Sequence, residues 1–242
     1  MKNHSGLKKR RFFQARTFKK VKRVNITTNR YNLHEYAEGT LGVGNIEQSV
    51  KLPEGENIND WLAMNTIEFQ NTAKLLFQLV QERCTTETCP KMTAGPRYEY
   101  YWREGKKSIQ TTSDIKTETN SLVFLLKKSN DYMNRLLLWV DELTEDPKIF
   151  PPMENDPFPK HFKKYVAVIF KRLFRVYAHI FTCHFRDIQD MGTEPHFNSC
   201  YKHFLLFVLH FKLLKKSDLE PLKVLNEKLL KNTKTQKKKK KK

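Results

Sequence analysis

Apolar residues recur at helical spacing along five stretches of this chain. The clearest pattern runs from Ile58 to about Arg83, where apolar side chains three or four positions apart define one face of a helix. Asn57 stands before this stretch as a helix cap, and Asp60, three residues on, is a partner of the capping-box type. The same spacing predicts further helices over about 129–143, 160–184, 196–214 and 218–230.

One short segment between the first two predicted helices has the pattern of a β-hairpin. Residues 98–102 are mostly aromatic, which favours a strand, residues 103–106 supply a turn, and residues 108–112 are the expected return strand. We therefore predict a mainly α fold, a helical bundle with a small β-hairpin.

The net charge of +19 at pH 7 would suit a protein that binds nucleic acid or an anionic membrane, but the charge is unevenly distributed. Eleven of the 45 Lys and Arg residues lie in residues 1–30 and seven in residues 234–242, and neither segment contains an acidic residue. The remaining 27 basic residues nearly balance the 26 acidic ones. We therefore predict a flexible basic arm over 1–30, a folded domain over 31–231 and a disordered lysine-rich tail over 232–242, with no specific nucleic-acid partner.

The cysteine content and hydropathy favour a reducing compartment. Four cysteines are too few for a disulfide scaffold in a chain of 242 residues. The N-terminus lacks the apolar segment of a secretory signal, and the apolar stretch 204–211 is interrupted by His210 and too short to span a bilayer. We therefore expect no membrane span and a cytoplasmic location, with the nucleus as a second compartment.

Two pairs of metal-binding side chains share one spacing. Cys84 and Cys89 are separated by four residues at the end of the first helix, and His179 and His184 by four residues on the third. Such spacings occur in Cys₂His₂ zinc sites, where four protein ligands close the coordination shell and make the metal structural. On spacing alone, ordinary core and surface roles for these residues explain the pattern equally well.

The histidine spacing itself argues against a shared metal, because residues five apart on a helix are rotated by roughly 140°. Sharing one ion requires a local distortion, fraying near His184, or imidazoles that reach around the helix edge. Cys183 is an alternative ligand, and Cys200 is expected to be a buried free thiol. The sequence contains no nucleophile–base set and no phosphate-binding glycine loop, so we do not expect an enzyme.

These residues lie within longer segments that resemble the MOB/phocein (Mps one binder) family, most closely the class that coactivates NDR/LATS kinases. The resemblance covers about residues 31–231 and is carried by segments 52–56, 84–90, 92–100, 157–159, 171–179, 202–204 and 219–222. It implies a helical bundle in which one structural Zn²⁺ is held by Cys84, Cys89, His179 and His184.

The resemblance also implies a function. It predicts a non-catalytic adaptor that binds the N-terminal regulatory region of NDR/LATS-type Ser/Thr kinases and a phosphopeptide of an upstream Hippo/MST-like kinase. Such an adaptor promotes kinase activation in Hippo-like or mitotic-exit signalling. Two alternatives stay open: a phocein-like scaffold subunit of a phosphatase–kinase complex, and a binder of nucleic acid or anionic membranes through the two tails.

An acidic stripe on the first helix is one candidate surface. Glu56, Asp60 and Glu68 recur at multiples of four residues, with Trp61 and Met64 alongside. By itself this pattern is more typical of a solvated face. The resemblance implies that the carboxylates pair with kinase Lys and Arg residues and that Trp61 and Met64 pack against apolar positions of the kinase.

A basic cluster on the third helix is the second candidate surface. Lys171, Arg172 and Arg175 lie opposite the apolar face, where a solvated role is again the simpler interpretation. Guanidinium groups bind phosphate in bidentate fashion, and the resemblance implies a phosphopeptide pocket at these residues. It further implies regulatory phosphorylation at Thr17 and Thr40.

Two segments depart from the family pattern. Residues 111–127 form an atypical insertion with an apolar run at 122–126, which is an inserted strand, an extension of the following helix or a gene-prediction artefact. The lysine-rich tail is the second departure, and the resemblance assigns it no role.

Overall fold

The structure, a computed structural model, describes residues 46–104, 124–126, 128–152 and 156–239. The mainly α fold class is confirmed within these residues. The helices are α1 (Ile46–Ser49), α2 (Ile58–Val80), α3 (Ser129–Glu145), α4 (Phe162–Cys183), α5 (Phe185–Asp190), α6 (Glu194–His210) and α7 (Lys223–Lys239). A 3₁₀ helix at Lys216–Leu222 precedes α7.

The two longest helices, α2 and α4, form the centre of the bundle and pack extensively against each other. Asn57 caps α2, as predicted, but its side chain accepts a hydrogen bond from the backbone N–H of Asn59 at 2.8 Å. Along α4 the buried residues recur three or four positions apart, among them Ile169, Leu173 and Val176. The helical periodicity therefore identified the buried face of α4.

An aromatic cluster fixes α6 against these two helices. The ring centroid of Phe69 on α2 lies 5.3 Å from that of Phe170 on α4, and 5.6 and 5.1 Å from those of Phe204 and Phe207 on α6. Aromatic pairs at such separations contribute about 0.5–1.5 kcal/mol each beyond the burial of their surface. The core therefore sits where α2, α4 and α6 meet.

The β-structure corrects the predicted hairpin. Strand β1 (Trp102–Glu104) pairs antiparallel with strand β2 (Phe124–Leu126), with Trp102 opposite Leu126. The prediction that residues 108–112 form the return strand is therefore wrong for β1, and those residues lie outside the described part. Short aromatic or apolar runs indicate a strand but do not specify its partner. Of the alternatives for 111–127, an inserted strand holds for Phe124–Leu126.

The C-terminal region also differs from the prediction. The last α-helix begins at Lys223 and not at about 218, because Pro221 lacks an N–H donor and the preceding turn is 3₁₀. The helix then continues to Lys239, so the predicted disorder over 232–242 is wrong as far as residue 239. Lysine is a good helix former, and no glycine or proline follows Pro221.

Helix α6 ends earlier than its apolar pattern predicted, and the cause is the backbone conformation of one residue. Apolar residues continue to Leu214, but α6 ends at His210 and Lys212 adopts φ 53°, a left-handed conformation that stops the helix.

The basic arm over 1–30 lies outside the described residues. None of the helices in the described ranges is both long and apolar enough to cross a bilayer.

The imidazole of His203, which packs in the core, makes the stability of the fold dependent on pH. Its ring centroid lies 4.7 Å from that of Phe69, and its Nε2 atom is buried without a hydrogen-bond partner among the described residues. Burial lowers the pKa of His203 to about 4. The folded protein therefore keeps this imidazole neutral at a pH where the unfolded chain, with a pKa near 6.5, takes up a proton.

We predict that this difference destabilises the protein as the pH falls from about 6.5 towards 4, with no effect above pH 6.5. Relative to His203→Phe, the wild type should lose about 2 kcal/mol more unfolding free energy between pH 7 and pH 5. Urea unfolding at the two pH values measures this. His210→Phe, at an exposed position, is the matched control and should behave as the wild type. Equal acid sensitivity of His203→Phe and wild type would contradict the prediction.

Candidate functional site

The structure brings together the four side chains predicted as metal ligands. The ligand atoms of Cys84, Cys89, His179 and His184 all lie within 4.8 Å of one another, and all four residues are buried. The Sγ atom of Cys84 lies 3.5 Å from Nε2 of His179, and the Sγ atom of Cys89 lies 3.3 Å from Nε2 of His184. Two sulfur and two nitrogen donors thus converge on one point.

The end of α4 explains how two histidines five residues apart can meet. The helix ends at Cys183, and His184 leaves the helical conformation with φ −126° and ψ 14° before α5 begins at Phe185. Its backbone N–H still donates to Ile180 O at 2.9 Å. Of the possibilities that the sequence left open, a helix end at His184 is the one observed.

The cysteines lie on a loop that follows α2. The backbone N–H of Cys84 donates to Val80 O at 2.8 Å, and that of Cys89 donates to Thr85 O at 2.9 Å, so both thiols are placed by tight turns. The side-chain amide of Asn130, on the first turn of α3, donates to Cys84 O at 3.2 Å. The loop is therefore anchored to α2 and α3, while the imidazoles come from the end of α4.

Acceptors behind the imidazoles fix their orientation. His179 Nδ1 lies 2.8 Å from Thr93 O, and His184 Nδ1 lies 2.9 Å from Asp187 Oδ2. Because a carbonyl and a carboxylate can only accept, both Nδ1 atoms are assigned a hydrogen, and both Nε2 atoms face the thiols. Arg83 Nε lies 3.5 Å from the other Asp187 oxygen. Sequence analysis missed Asp187, although a carboxylate three residues after a candidate ligand was a usable signal.

The electrostatics of the cluster suit a cation. Burial raises the pKa of the Cys84 thiol and lowers the pKa of His184 despite the opposing effect of Asp187. Burial also lowers the pKa of His179, but hydrogen bonds with Cys183, Cys84 and Cys89 outweigh it and raise the value to about 12. Without a metal, a proton on His179 is therefore favoured among the sulfur atoms, and a bound cation would take the place of that proton. Thiolate and imidazole donors in a buried tetrad are the donor set that Zn²⁺ prefers, so these residues fit the metal.

The other two cysteines do not belong to the four-residue ligand set, although Cys183 interacts with His179. Cys183 is exposed, and its Sγ atom is 3.8 Å from Thr93 Oγ1 and 3.6 Å from Thr182 Oγ1. The alternative in which Cys183 replaces a ligand is therefore not the arrangement observed. Cys200 is a free thiol, but it is only partly buried, contrary to the expectation of full burial.

The predicted acidic face of α2 is largely covered in this structure. Trp61 is 0% and Met64 4% exposed, so neither side chain is accessible to a kinase in this conformation, and their predicted role stays a prediction. Asp60 is also buried, whereas Glu56 and Glu68 are partly exposed. Every residue from 60 to 66 is buried, so more than one face of α2 is enclosed. A one-face periodicity cannot show how many neighbours surround a helix.

The basic residues of α4 separate into two environments. The guanidinium carbon of Arg172 lies 4.2 Å from the ring centroids of both Trp102 and Trp139, and burial lowers the pKa of Arg172. Its Nη1 atom is buried and has no hydrogen-bond partner among the described residues. Lys171, in contrast, is half exposed and forms a 2.6 Å ion pair with Asp218. The Lys171 ammonium group is therefore paired with Asp218 and does not join Arg172 at the two indole rings.

Arg175 joins Arg172 on an aromatic surface. Its Nη1 donates to the Tyr132 hydroxyl at 2.5 Å, and its guanidinium carbon lies 4.8 Å from the ring centroid of Tyr100. We call this set of four rings, Tyr100, Trp102, Tyr132 and Trp139, the aromatic platform. Guanidinium groups are suitable donors for an anion, and anion binding at Arg172 and Arg175 stays a prediction.

Sequence analysis missed a third arginine at the platform. The guanidinium carbon of Arg135 lies 5.6 Å from the Trp102 ring centroid. The usable signal was its position on α3, three residues after Tyr132 and four before Trp139, which places all three on one helix face. The predicted phosphorylation positions, Thr17 and Thr40, lie outside the described residues.

Comparison with known proteins agrees with the resemblance noted from the sequence. The profile of the Mob1/phocein family matches residues 38–222. A Dictyostelium discoideum protein, MOB kinase activator-like 1 homolog A, is 42% identical over 222 residues, which cover 90% of this chain and 97% of that protein. MOB kinase activator-like 1B of Arabidopsis thaliana is 41% identical over 218 residues, covering 89% and 94%. MOB kinase activator-like 1A of Medicago sativa subsp. falcata is 39% identical, also covering 89% and 94%.

Proposed function

The chain belongs to the Mob1/phocein family, and on that premise we propose that it is a coactivator of NDR/LATS-type Ser/Thr kinases in Hippo-like or mitotic-exit signalling. Proteins of this family are regulatory adaptors and not enzymes. The observation that carries the proposal is the co-linear similarity to proteins named MOB kinase activator-like, which extends over nearly the whole of each chain.

Kinase docking on α2 is proposed at its acidic residues. Glu56 and Glu68 are partly exposed and can meet basic side chains of a kinase N-terminal region, whereas Asp60, Trp61 and Met64 are buried. Exposed ion pairs contribute only about 0–1 kcal/mol each, so the charges orient the kinase and apolar contacts supply most of the affinity. Apolar contact through Trp61 and Met64 therefore requires that this face become uncovered.

The event that we propose for uncovering this face is phosphorylation at Thr17 or Thr40. A phosphate adds about −1.5 to −2 charges. At Thr17 this charge falls within a segment rich in Lys and Arg, whereas Thr40 lies in a stretch, 31–50, that contains neither residue. This regulation rests on the family resemblance at these two positions. Phosphorylated and unphosphorylated protein should therefore differ in kinase affinity.

We predict that Glu56→Lys combined with Glu68→Lys weakens kinase binding about tenfold, because two attractive contacts become repulsive. The measurement is a titrated pull-down of a recombinant NDR/LATS N-terminal region, followed by an assay of kinase activity. Asp60 is left unchanged because a lysine at this buried position would disturb the fold. The matched control is Glu54→Lys with Glu87→Lys, at exposed positions.

Full kinase binding and activation by Glu56→Lys/Glu68→Lys would overturn the docking proposal. The alternative, a phocein-like scaffold subunit, would be favoured if the wild type purified with a phosphatase and left kinase activity unchanged. Loss of all partner binding on removal of 1–30 and 232–242, with strong salt dependence, would favour the nucleic-acid or membrane alternative.

We also propose that Cys84, Cys89, His179 and His184 hold one structural Zn²⁺. The buried donor set supports this, and the hydrogen bonds behind both imidazoles are of the kind that orient metal ligands. With four protein ligands, the ion would have no position left for a reacting water, so its role is to join the α2 loop to the end of α4. Binding would release protons, because the thiols must ionise and the imidazoles must be neutral.

We predict that Cys84→Ala abolishes zinc binding and lowers the melting temperature by at least about 10 °C, since structural zinc contributes several kcal/mol to folding. Asp187→Asn should keep the metal but bind it about 10–100-fold more weakly, because Asp187 orients His184. Elemental analysis, chelator competition and thermal unfolding measure these effects. Cys200→Ala and Asp190→Asn are the matched controls. Wild-type protein that contains no zinc would remove the proposal.

Phosphopeptide binding is proposed at Arg172 and Arg175. The fixed positions of both guanidinium groups on the aromatic platform support this, because donors that are already oriented lose little conformational entropy when an anion binds. A phosphothreonine of an upstream Hippo/MST-like kinase would provide acceptor oxygens for both guanidinium groups. Lys171 is a weaker candidate, because its ammonium group is paired with Asp218.

We predict that Arg172→Gln or Arg175→Gln weakens phosphothreonine-peptide binding by about 10–100-fold, the effect of losing a charge-assisted hydrogen bond. Lys171→Gln should cost less than about threefold, because breaking the Asp218 pair compensates part of the lost charge. Fluorescence anisotropy with phosphorylated and unphosphorylated peptides measures both. Equal losses in all three variants would show that general positive charge, and not the platform geometry, determines binding.

A further inference from the structure

Arg135 is a third guanidinium on the aromatic platform, and it comes from a different helix than the other two. Its guanidinium carbon lies 5.6 Å from the Trp102 ring centroid, and that of Arg172 lies 4.2 Å from the same centroid. The two charges are therefore no farther apart than the sum of these distances. Trp102 also packs edge-on against Tyr132 at 5.7 Å and Trp139 at 5.8 Å, so the indole that both arginines share is held in place.

The cationic groups of this cluster repel one another. Burial is the main cause of the lowered pKa of Arg172, and the charges of Arg175 and Arg135 lower it further. Part of this repulsion would be relieved by an anion that contacts more than one guanidinium. A single phosphate at Arg172 and Arg175 still leaves Arg135 at the edge of the cluster.

Arg135 already contacts a carboxylate of the chain itself. Its Nη1 donates to Glu142 Oε1 at 3.1 Å, and the side chains are 24% and 52% exposed. An ion pair at this degree of exposure is weak and exchanges readily with another anion. Glu142 therefore shows that an acidic group fits beside Arg135. A carboxylate or second phosphate of a ligand could bind Arg135 at the position that the Glu142 carboxylate occupies.

We propose that Arg135 is a specificity-determining residue of this anion site and selects phosphothreonine peptides that carry a second negative charge close to the phosphate. The inference rests on the proposed phosphopeptide function of Arg172 and Arg175. The ligand class is a doubly anionic peptide, with the phosphate at the α4 arginines and a neighbouring acidic side chain at the α3 arginine.

The test measures fluorescence anisotropy with the full chain and two labelled phosphothreonine peptides, one with neutral and one with glutamate flanks. The wild type should prefer the glutamate-flanked peptide by about fivefold. Arg135→Gln should bring the two affinities together. Glu142→Gln should increase the preference, because it removes one carboxylate that competes for Arg135. Arg186→Gln removes one exposed charge outside the platform and should keep the wild-type preference.

The outcomes separate the two proposals. If the wild type binds neither phosphopeptide, the phosphopeptide function itself fails and this inference falls with it. If the wild type binds both peptides equally, the anion site stands and the role of Arg135 is overturned. Equal effects of Arg135→Gln and Arg186→Gln would likewise overturn it, since net charge alone would then explain the preference. Thermal unfolding of each variant verifies that the fold is retained.

Discussion

The convergence of two thiols and two imidazoles is the interaction on which the arrangement of the two central helices depends. Four polar donors with ligand atoms within 4.8 Å of each other lie buried between the loop after α2 and the end of α4. Burying such groups is costly unless each has a partner, and a shared divalent cation would give all four the same one. The hydrogen bonds that His179 and His184 donate to Thr93 O and Asp187 Oδ2 fix both imidazoles with Nε2 directed at the two sulfur atoms.

Both candidate binding surfaces lie on the helices that meet at this cluster. The carboxylates at Glu56 and Glu68 belong to the start of α2 or the turn before it, and Arg172 and Arg175 project from the middle of α4. Because α2 and α4 also share the aromatic contact of Phe69 with Phe170, they form one packed unit. A kinase segment on α2 and a phosphopeptide on α4 would therefore be held at a defined separation, which is the requirement for an adaptor that presents one partner to another.

The parts of the structure that sequence predicted are those with a local cause. Helix α4 followed from its periodicity. Two matched spacings of Cys and His supplied the candidate ligands, and the family resemblance favoured a metal site over ordinary core roles. The spacing could not show that His184 lies beyond the helix end, because that depends on backbone dihedral angles at one residue. Burial of Trp61, the pairing of Trp102 with Leu126 and the position of Arg135 over Trp102 depend on contacts between distant segments. No local pattern encodes such contacts, although positions on a shared helix face gave a usable signal for Arg135.

The environment of Arg172 is difficult to explain by stability alone. A guanidinium between two indoles gains cation–π attraction of roughly 0.5–2 kcal/mol per ring, but it loses hydration and retains a buried Nη1 donor without an acceptor among the described residues. An apolar side chain of similar length would fill the same space between Trp102 and Trp139 without the unsatisfied charge. The arrangement is therefore understandable as preorganisation: the rings hold the guanidinium in one orientation before the ligand arrives, so that less conformational entropy is lost when an anion binds.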